Sequence, residues 1–251
     1  MSRALVSGAS SGIGRELARL LARDGHEVIL VARRERELRE LADEIGGATV
    51  LAIDLTERGA VERVVRAAGD VDVLVNNAGF GDYGPFASSD VARQLAMIDL
   101  NVRALTELTH AYLSGMLRRR FGRVLNVAST AAFQPGPYLA TYSATKAYVL
   151  SFSEALAEEV RDHGVSVTAL CPGPTASGFQ SAARMQSSWM VRRVPMPSAA
   201  SVAEAGYAAM LAGRPVAVVG RGNRLMVQAT RVVPRVALRR AAGLVLGAGQ
   251  S

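Results

Sequence analysis

Seven short apolar runs, most of them closing on small or polar residues, recur along the chain with helical stretches between them. Residues 3–7 end at Gly8-Ala9-Ser10-Ser11-Gly12-Ile13-Gly14, 27–32 at Arg33-Arg34, 48–53 at Asp54-Leu55, and 71–75 at Asn76-Asn77-Ala78-Gly79. Residues 123–128 end at Ser129-Thr130, 165–170 at Cys171-Pro172-Gly173-Pro174-Thr175-Ala176-Ser177, and 215–219 form the last run. Strands separated by helices cannot pair as hairpins; they need crossovers and a parallel sheet. The pattern predicts an α/β fold: a seven-stranded, doubly wound parallel sheet with helices on both faces, in one domain over residues 1–251. Right-handed crossovers put the C-terminal ends of all strands on one rim, so the small and polar clusters gather there.

The first cluster reads as strand, glycine turn, helix. Glycines let the backbone pass close to a pyrophosphate, and the free N–H groups at the start of the following helix favour that anion. The spacing is G-x-x-x-G-x-G rather than the G-x-G-x-x-G of other dinucleotide folds.

Tyr142 and Lys146 stand four apart in a segment of good helix formers, so their side chains leave one helical face together. A neighbouring ammonium favours phenolate, which is expected to lower the tyrosine pKa toward working pH. Lys146 is the only lysine among 29 basic residues. Arginine cannot shift its protonation as lysine can, so a proton relay explains why lysine is kept at this one position.

With 251 residues and 49% hydrophobic content, the chain can bury one large core. Its one cysteine, Cys171, rules out an intrachain disulfide. No signal-peptide pattern precedes the first strand and no apolar run is long enough to span a bilayer, so a cytoplasmic protein is expected. The net charge of +7 is concentrated late: after residue 180, ten arginines face a single acid, Glu204. No aromatic platform or nucleic-acid motif accompanies them, so nucleic acid is not an expected partner, and no metal site is expected.

The residues resemble the short-chain dehydrogenase/reductases in their single-domain form, over essentially the whole chain. The motifs occur in order: Ser7-Gly8-x-x-x-Gly12-x-Gly14, Asn76-Asn77-Ala78-Gly79, Asn101, Ser129, Tyr142-x-x-x-Lys146 and Pro172-Gly173. Ser7 and Ser177 stand where the family usually has threonine. The resemblance implies a Rossmann-like domain in which Ser129 hydrogen-bonds the substrate oxygen and Tyr142 transfers the proton. It also implies that Lys146 lowers the tyrosine pKa and holds the nicotinamide ribose, while Asn101 anchors a relay water. The cofactor is expected against Ser7, Gly8, Ser10, Ser11, Gly12, Ile13, Gly14, Leu55, Asn77, Ala78, Gly79, Pro172, Gly173, Thr175 and Ser177. Asp54 is placed at the adenine. NAD-using members carry an acid at the end of the second strand; here Ala32 is followed by Arg33 and Arg34, which favours NADPH over NADH.

Residues 174–213 correspond to the family's substrate-covering loop and helix. Phe179, Met185, Trp189, Met190 and Met196 suggest an apolar wall, with Arg184, Arg192 and Arg193 facing an anionic carrier. The expected activity is NADPH-dependent reduction of a ketone or ketoacyl carbonyl, as in the ketoacyl reductases the chain resembles. The alternatives are an NAD-dependent alcohol dehydrogenase working in the oxidative direction and a non-catalytic nicotinamide-binding sensor or scaffold. Family members pair through long helices, so a homodimer or homotetramer is expected through residues 91–117 and 142–160. In the tail, 222–251, Leu225, Ala229, Val232 and Val236 form an apolar stripe beside Arg224, Arg231, Arg235 and Arg239, and Pro234 splits the helix. Two roles are open to it: packing over the domain or a partner subunit near the cleft, or peripheral contact with an anionic membrane.

Overall fold

The computed structural model describes residues 2–178, 183 and 196–247. Its strands are β1 (Arg3–Ser7), β2 (Glu27–Ala32), β3 (Thr49–Ala52), β4 (Val73–Asn76), β5 (Gly122–Val127), β6 (Val165–Cys171) and β7 (Val216–Val218). All pair in parallel in the order β3-β2-β1-β4-β5-β6-β7. The winding direction reverses between β1 and β4, which opens a crevice at their C-terminal ends.

The helices are α1 (Gly12–Arg23), α2 (Glu35–Glu44), α3 (Ala60–Ala68), α4 (Val91–Ile98), α5 (Leu105–Arg119), α6 (Ala140–Glu159), α7 (Ala199–Leu211), α8 (Arg221–Val232) and α9 (Arg235–Gly247). Both faces of the sheet are covered, which is why its central strands are apolar throughout rather than alternating. On one face Leu17 and Leu21 of α1, Leu38 and Leu41 of α2, and Val202 and Met210 of α7 pack on Val6, Val28 and Leu30. On the other, Val61 and Val64 of α3 and Leu108 and Met116 of α5 pack on Leu5, Ile29, Leu74 and Val124. Truncating one of these fully buried leucines to alanine costs about 2–5 kcal/mol.

Two helical segments divide. The helical stretch 89–119 is interrupted by a π-helical turn, Asp99–Ala104, between α4 and α5. Such a turn inserts a residue and re-aims the side chains within it; here it carries Asn101. The tail breaks into α8 and α9 at Pro234, as the missing N–H of proline requires. The tail packs on the domain, but not through its stripe. Leu225, Val232 and Val236 are exposed, whereas Val227, Ala242 and Leu246 are buried. The tail packs through small and mid-sized residues on the other side of each helix.

Candidate active site

The switch point between β1 and β4 opens into a cleft of about 910 Å³. Its floor is the glycine turn. Gly8 adopts φ +68°, a left-handed conformation that an L side chain resists. A Cβ at Gly14 would meet the Gly8 carbonyl oxygen at 2.5 Å and, nearer still, the Asn77 side-chain amide. Asn77 uses that amide to donate to the Ser7 and Gly8 carbonyls, each at 3.1 Å. Ser7 closes the junction: its hydroxyl accepts from the Asn77 and Ala78 amides at 3.0 and 3.1 Å and donates to the Val75 carbonyl at 3.2 Å. Serine thus serves where the family usually has threonine, because only the hydroxyl is used.

At the end of β2 the two arginines divide their work. Arg34 donates to Ser10 Oγ at 3.0 Å and Ser11 Oγ at 2.8 Å, gathering a cation and two hydroxyls beside the start of α1. Arg33 pairs with Asp54 at 3.6 Å and remains largely exposed. Asp54 also accepts from the Thr56 amide at 2.9 Å and hydroxyl at 2.8 Å. Burial pushes its carboxyl up, but the two Thr56 hydrogen bonds and Arg33 outweigh this and hold it below its ordinary pKa.

The end of β5 and the first turns of α6 bring the chemistry together. Lys146 is buried, donates to the Val127 carbonyl at 2.7 Å, and lies 5.8 Å from the centre of the Tyr142 ring. Asn101 Nδ2 donates to the Phe80 carbonyl at 3.0 Å and Thr145 Oγ1 at 3.1 Å, and Oδ1 accepts from the Phe80 amide at 3.1 Å. The π turn thereby ties the loop after β4 to α6. A Cβ at Gly79 would stand 2.9 Å from Asn101 Oδ1 and 3.5 Å from Lys146 Nζ, so glycine leaves that corner open. Ser129 accepts from the Ala131 amide at 3.1 Å and is hydrogen-bonded to Tyr142.

The expected lowering of the tyrosine pKa is not found. Burial pushes the Tyr142 phenol up to about 12, only partly opposed by Ser129. Burial likewise lowers Lys146 to about 8, with the Cys171 thiol a smaller opposing influence. Desolvation disfavours both charged forms, and in this enclosed corner it exceeds the help that the ammonium gives the phenolate.

Most of the expected site residues line this one cleft: Gly8, Ser10, Ser11, Gly12, Ile13, Arg33, Arg34, Asp54, Leu55, Asn77, Ala78, Gly79, Ser129, Tyr142, Lys146, Pro172, Gly173, Thr175 and Ser177. Ser7, Gly14 and Asn101 stand behind its wall and shape it. The tail was expected near the cleft, but sequence spacing gave no sign of the part of the opposite wall that precedes α6. Gln134, Gly136, Leu139 and Ser143 come from the loop before α6 and its first turn, and Asn223, Met226, Ala242, Val245 and Leu246 from α8 and α9. Asn223 sits so close to Gly173 that a Cβ there would meet its Nδ2 at 2.5 Å. Tyr83 donates its hydroxyl to the Leu246 carbonyl and so fixes the end of α9. Of the expected substrate loop, Phe179, Arg184, Met185, Trp189, Met190, Arg192 and Arg193 lie outside the described residues. Among the described residues no cluster of His, Cys, Asp and Glu could hold a metal.

The chain is 39% identical over 184 residues to a short chain dehydrogenase of Pseudocercospora fijiensis, covering 69% of this chain and 60% of that protein. It is 41% identical over 175 residues to a very-long-chain 3-oxoacyl-CoA reductase of Laccaria bicolor, covering 65% and 52%. It therefore spans less than two thirds of the length of these two fungal relatives. Among solved structures, a short-chain dehydrogenase from Sphingobium yanoikuyae in complex with NADPH superimposes with a TM-score of 0.83 at 29% identity, over 96% of both chains. With the family profile for short chain dehydrogenases matching residues 2–188, the chain belongs to that family.

Proposed function

We propose that the protein is an NADPH-dependent reductase that transfers hydride to the carbonyl carbon of an apolar ketone or ketoacyl substrate. The observation that carries the reading is the meeting of Ser129, Tyr142 and Lys146 at one end of a cleft whose other end holds Arg34, Ser10 and Ser11. The residues fit the cofactor. The glycine turn leaves room for a pyrophosphate, Arg34 with the two serines suits a 2′-phosphate, and no acid at Ala32 competes for the ribose hydroxyls. Bound there, the cofactor supplies the hydride.

The chain's own residues manage the oxygen. Negative charge builds on the carbonyl oxygen as the carbon is reduced, and hydroxyls positioned beforehand stabilise it as it develops. Ser129 and Tyr142 are those hydroxyls. A phenol held fully protonated, as burial holds Tyr142, is the form that can donate. Lys146, fixed through Val127, favours the phenolate once the proton has left, and retains further N–H groups for the ribose. Asn101 is a positioning residue, joining Phe80 to Thr145 with a lone pair to spare for a relay water. Leu139, Met226, Ala242, Val245 and Leu246 give the substrate end an apolar lining.

Purified protein should oxidise NADPH in the presence of hydrophobic ketones and prefer it to NADH. Replacing Arg34 by Ala should raise KM for NADPH about tenfold while leaving that for NADH within about twofold, the scale of one lost charge-assisted contact. Cofactor binding without turnover of any carbonyl or alcohol would support the sensor alternative. An unchanged NADPH/NADH ratio in the variant would remove the phosphate assignment.

A further inference from the structure

Helices α8 and α9 have two faces of opposite character. Asn223, Met226, Ala242 and Leu246 close the cleft, with Val227 buried beside them. On the other side Leu225, Val232 and Leu244 are 74%, 82% and 77% exposed, and Val236 about half exposed. Four of the twelve exposed large hydrophobic side chains among the described residues thus fall on this one face. Such clustering marks a contact surface rather than ordinary scatter.

Helical geometry sets charge beside these side chains. On α8, Leu225 and Val232 lie seven apart on the meridian that carries Arg221, flanked by Arg224 and Arg231. On α9, Val236, Arg240 and Leu244 follow at four-residue intervals. From Arg221 to Gly247 the chain has six arginines, all exposed, and no acid. Among the described residues none of the six takes part in an ion pair. Beside them, Pro85, Phe86, Pro137 and Tyr138 form with Leu244 an open groove of about 600 Å³ that continues the apolar surface.

We infer that this face docks on an anionic lipid bilayer, with α8 and α9 lying in the headgroup plane, their arginines on lipid phosphates and Leu225, Val232, Val236 and Leu244 at the acyl boundary. No described helix is long and apolar enough to cross a membrane, so the contact is superficial. A plane suits apolar side chains spread over two helices on either side of Pro234 better than the groove of a protein partner does. The same two helices wall the cleft, so the docked face lies directly behind that wall. The docking surface stands whatever chemistry the cleft performs.

The test is co-sedimentation of the intact protein with vesicles of phosphatidylcholine, alone or with about one third phosphatidylglycerol. Binding to the anionic vesicles should be at least about tenfold stronger and should weaken about tenfold at ~0.5 M salt. Arg231→Gln with Arg235→Gln should abolish the preference for anionic lipid. Leu225→Ser with Val232→Ser should remove the binding that survives high salt. Both double variants should retain the wild-type melting temperature, since neither touches the cleft. No binding, equal binding to both vesicles, or indifference to both variants overturns the inference. Binding to heparin but not to vesicles would assign the face to a soluble polyanion instead. A dimer formed without vesicles and dissolved only by the Leu225/Val232 variant would assign it to a second copy. Either result also overturns it.

Discussion

At the residue scale, Lys146 carries a consequence for stability as well as for chemistry. Its folded-state pKa of about 8 lies below the ordinary lysine value of 10.5. Between those two pH values the unfolded chain holds a proton that the folded chain has released, so stability rises with pH across that window. Tyr142 acts in the opposite sense higher up. Its phenol keeps its proton to about 12 when folded, so its contribution is complete below pH 10 and lost as pH rises toward 12. Urea denaturation of cofactor-free wild type and Lys146→Met isolates the lysine. The stability difference should shift in favour of wild type by roughly 2 kcal/mol between pH 8 and pH 10, at 1.36 kcal/mol per pKa unit. A pH-independent difference would falsify the buried, desolvated state of this side chain.

Elements matter here chiefly through the places where two of them approach without side chains between. The start of α1 lies against the end of β4 because Gly14 leaves space for the Asn77 amide, and Asn77 in turn holds the Ser7 and Gly8 carbonyls. Gly14→Ala forces either Asn77 or the turn to move, with a cost of about 1–3 kcal/mol, typical of overpacking, and weaker NADPH binding. Gly222 is the control: it lies in α8 with nothing within 4 Å of a would-be Cβ. Gly222→Ala should be neutral or stabilise by up to about 1 kcal/mol, since alanine is the better helix former. Thermal melting and cofactor titration of the two variants check both statements. Equal melting temperatures would contradict the close approach.

For the whole molecule, exposed apolar side chains away from the cleft and tail gather on α4 and α6. Val91, Leu95 and Ile98 are exposed on α4. On α6, Tyr148 stacks on Phe152 with centroids 5.6 Å apart while its hydroxyl meets that of Thr106 at 2.9 Å. A homodimer or homotetramer is proposed through α4, α5 and α6. Light scattering at micromolar concentration should give a multiple of 26.5 kDa, and Leu95→Glu with Tyr148→Glu should reduce it to the monomer. A monomeric wild type would contradict the proposal.

The sheet and the cleft floor were legible in the sequence because their signals are local. Apolar runs ending in glycine, asparagine or serine mark strands and their rim, and a four-residue interval places Tyr142 beside Lys146 on any helix. The limits of β1 and β2 and the break at Pro234 follow for the same reason, since each depends on residues adjacent in the chain. Tertiary structure decided what depends on distant neighbours. Which arginine gathers Ser10 and Ser11 is settled by how β2 ends over the first turn, some 23 residues away in sequence. Whether Tyr142 sits above or below its ordinary pKa depends on how much water the surrounding walls exclude, and Leu246, more than a hundred residues later, is one of those walls. The tail shows the difference most directly. Helical periodicity identified its apolar stripe, but periodicity gives only the angle of a residue around its axis; which side meets the body is set by the shape of the surface it covers. At the cleft that surface is close and narrow, so α8 and α9 pack through Val227, Ala242 and Leu246 and leave Leu225, Val232 and Val236 facing outward.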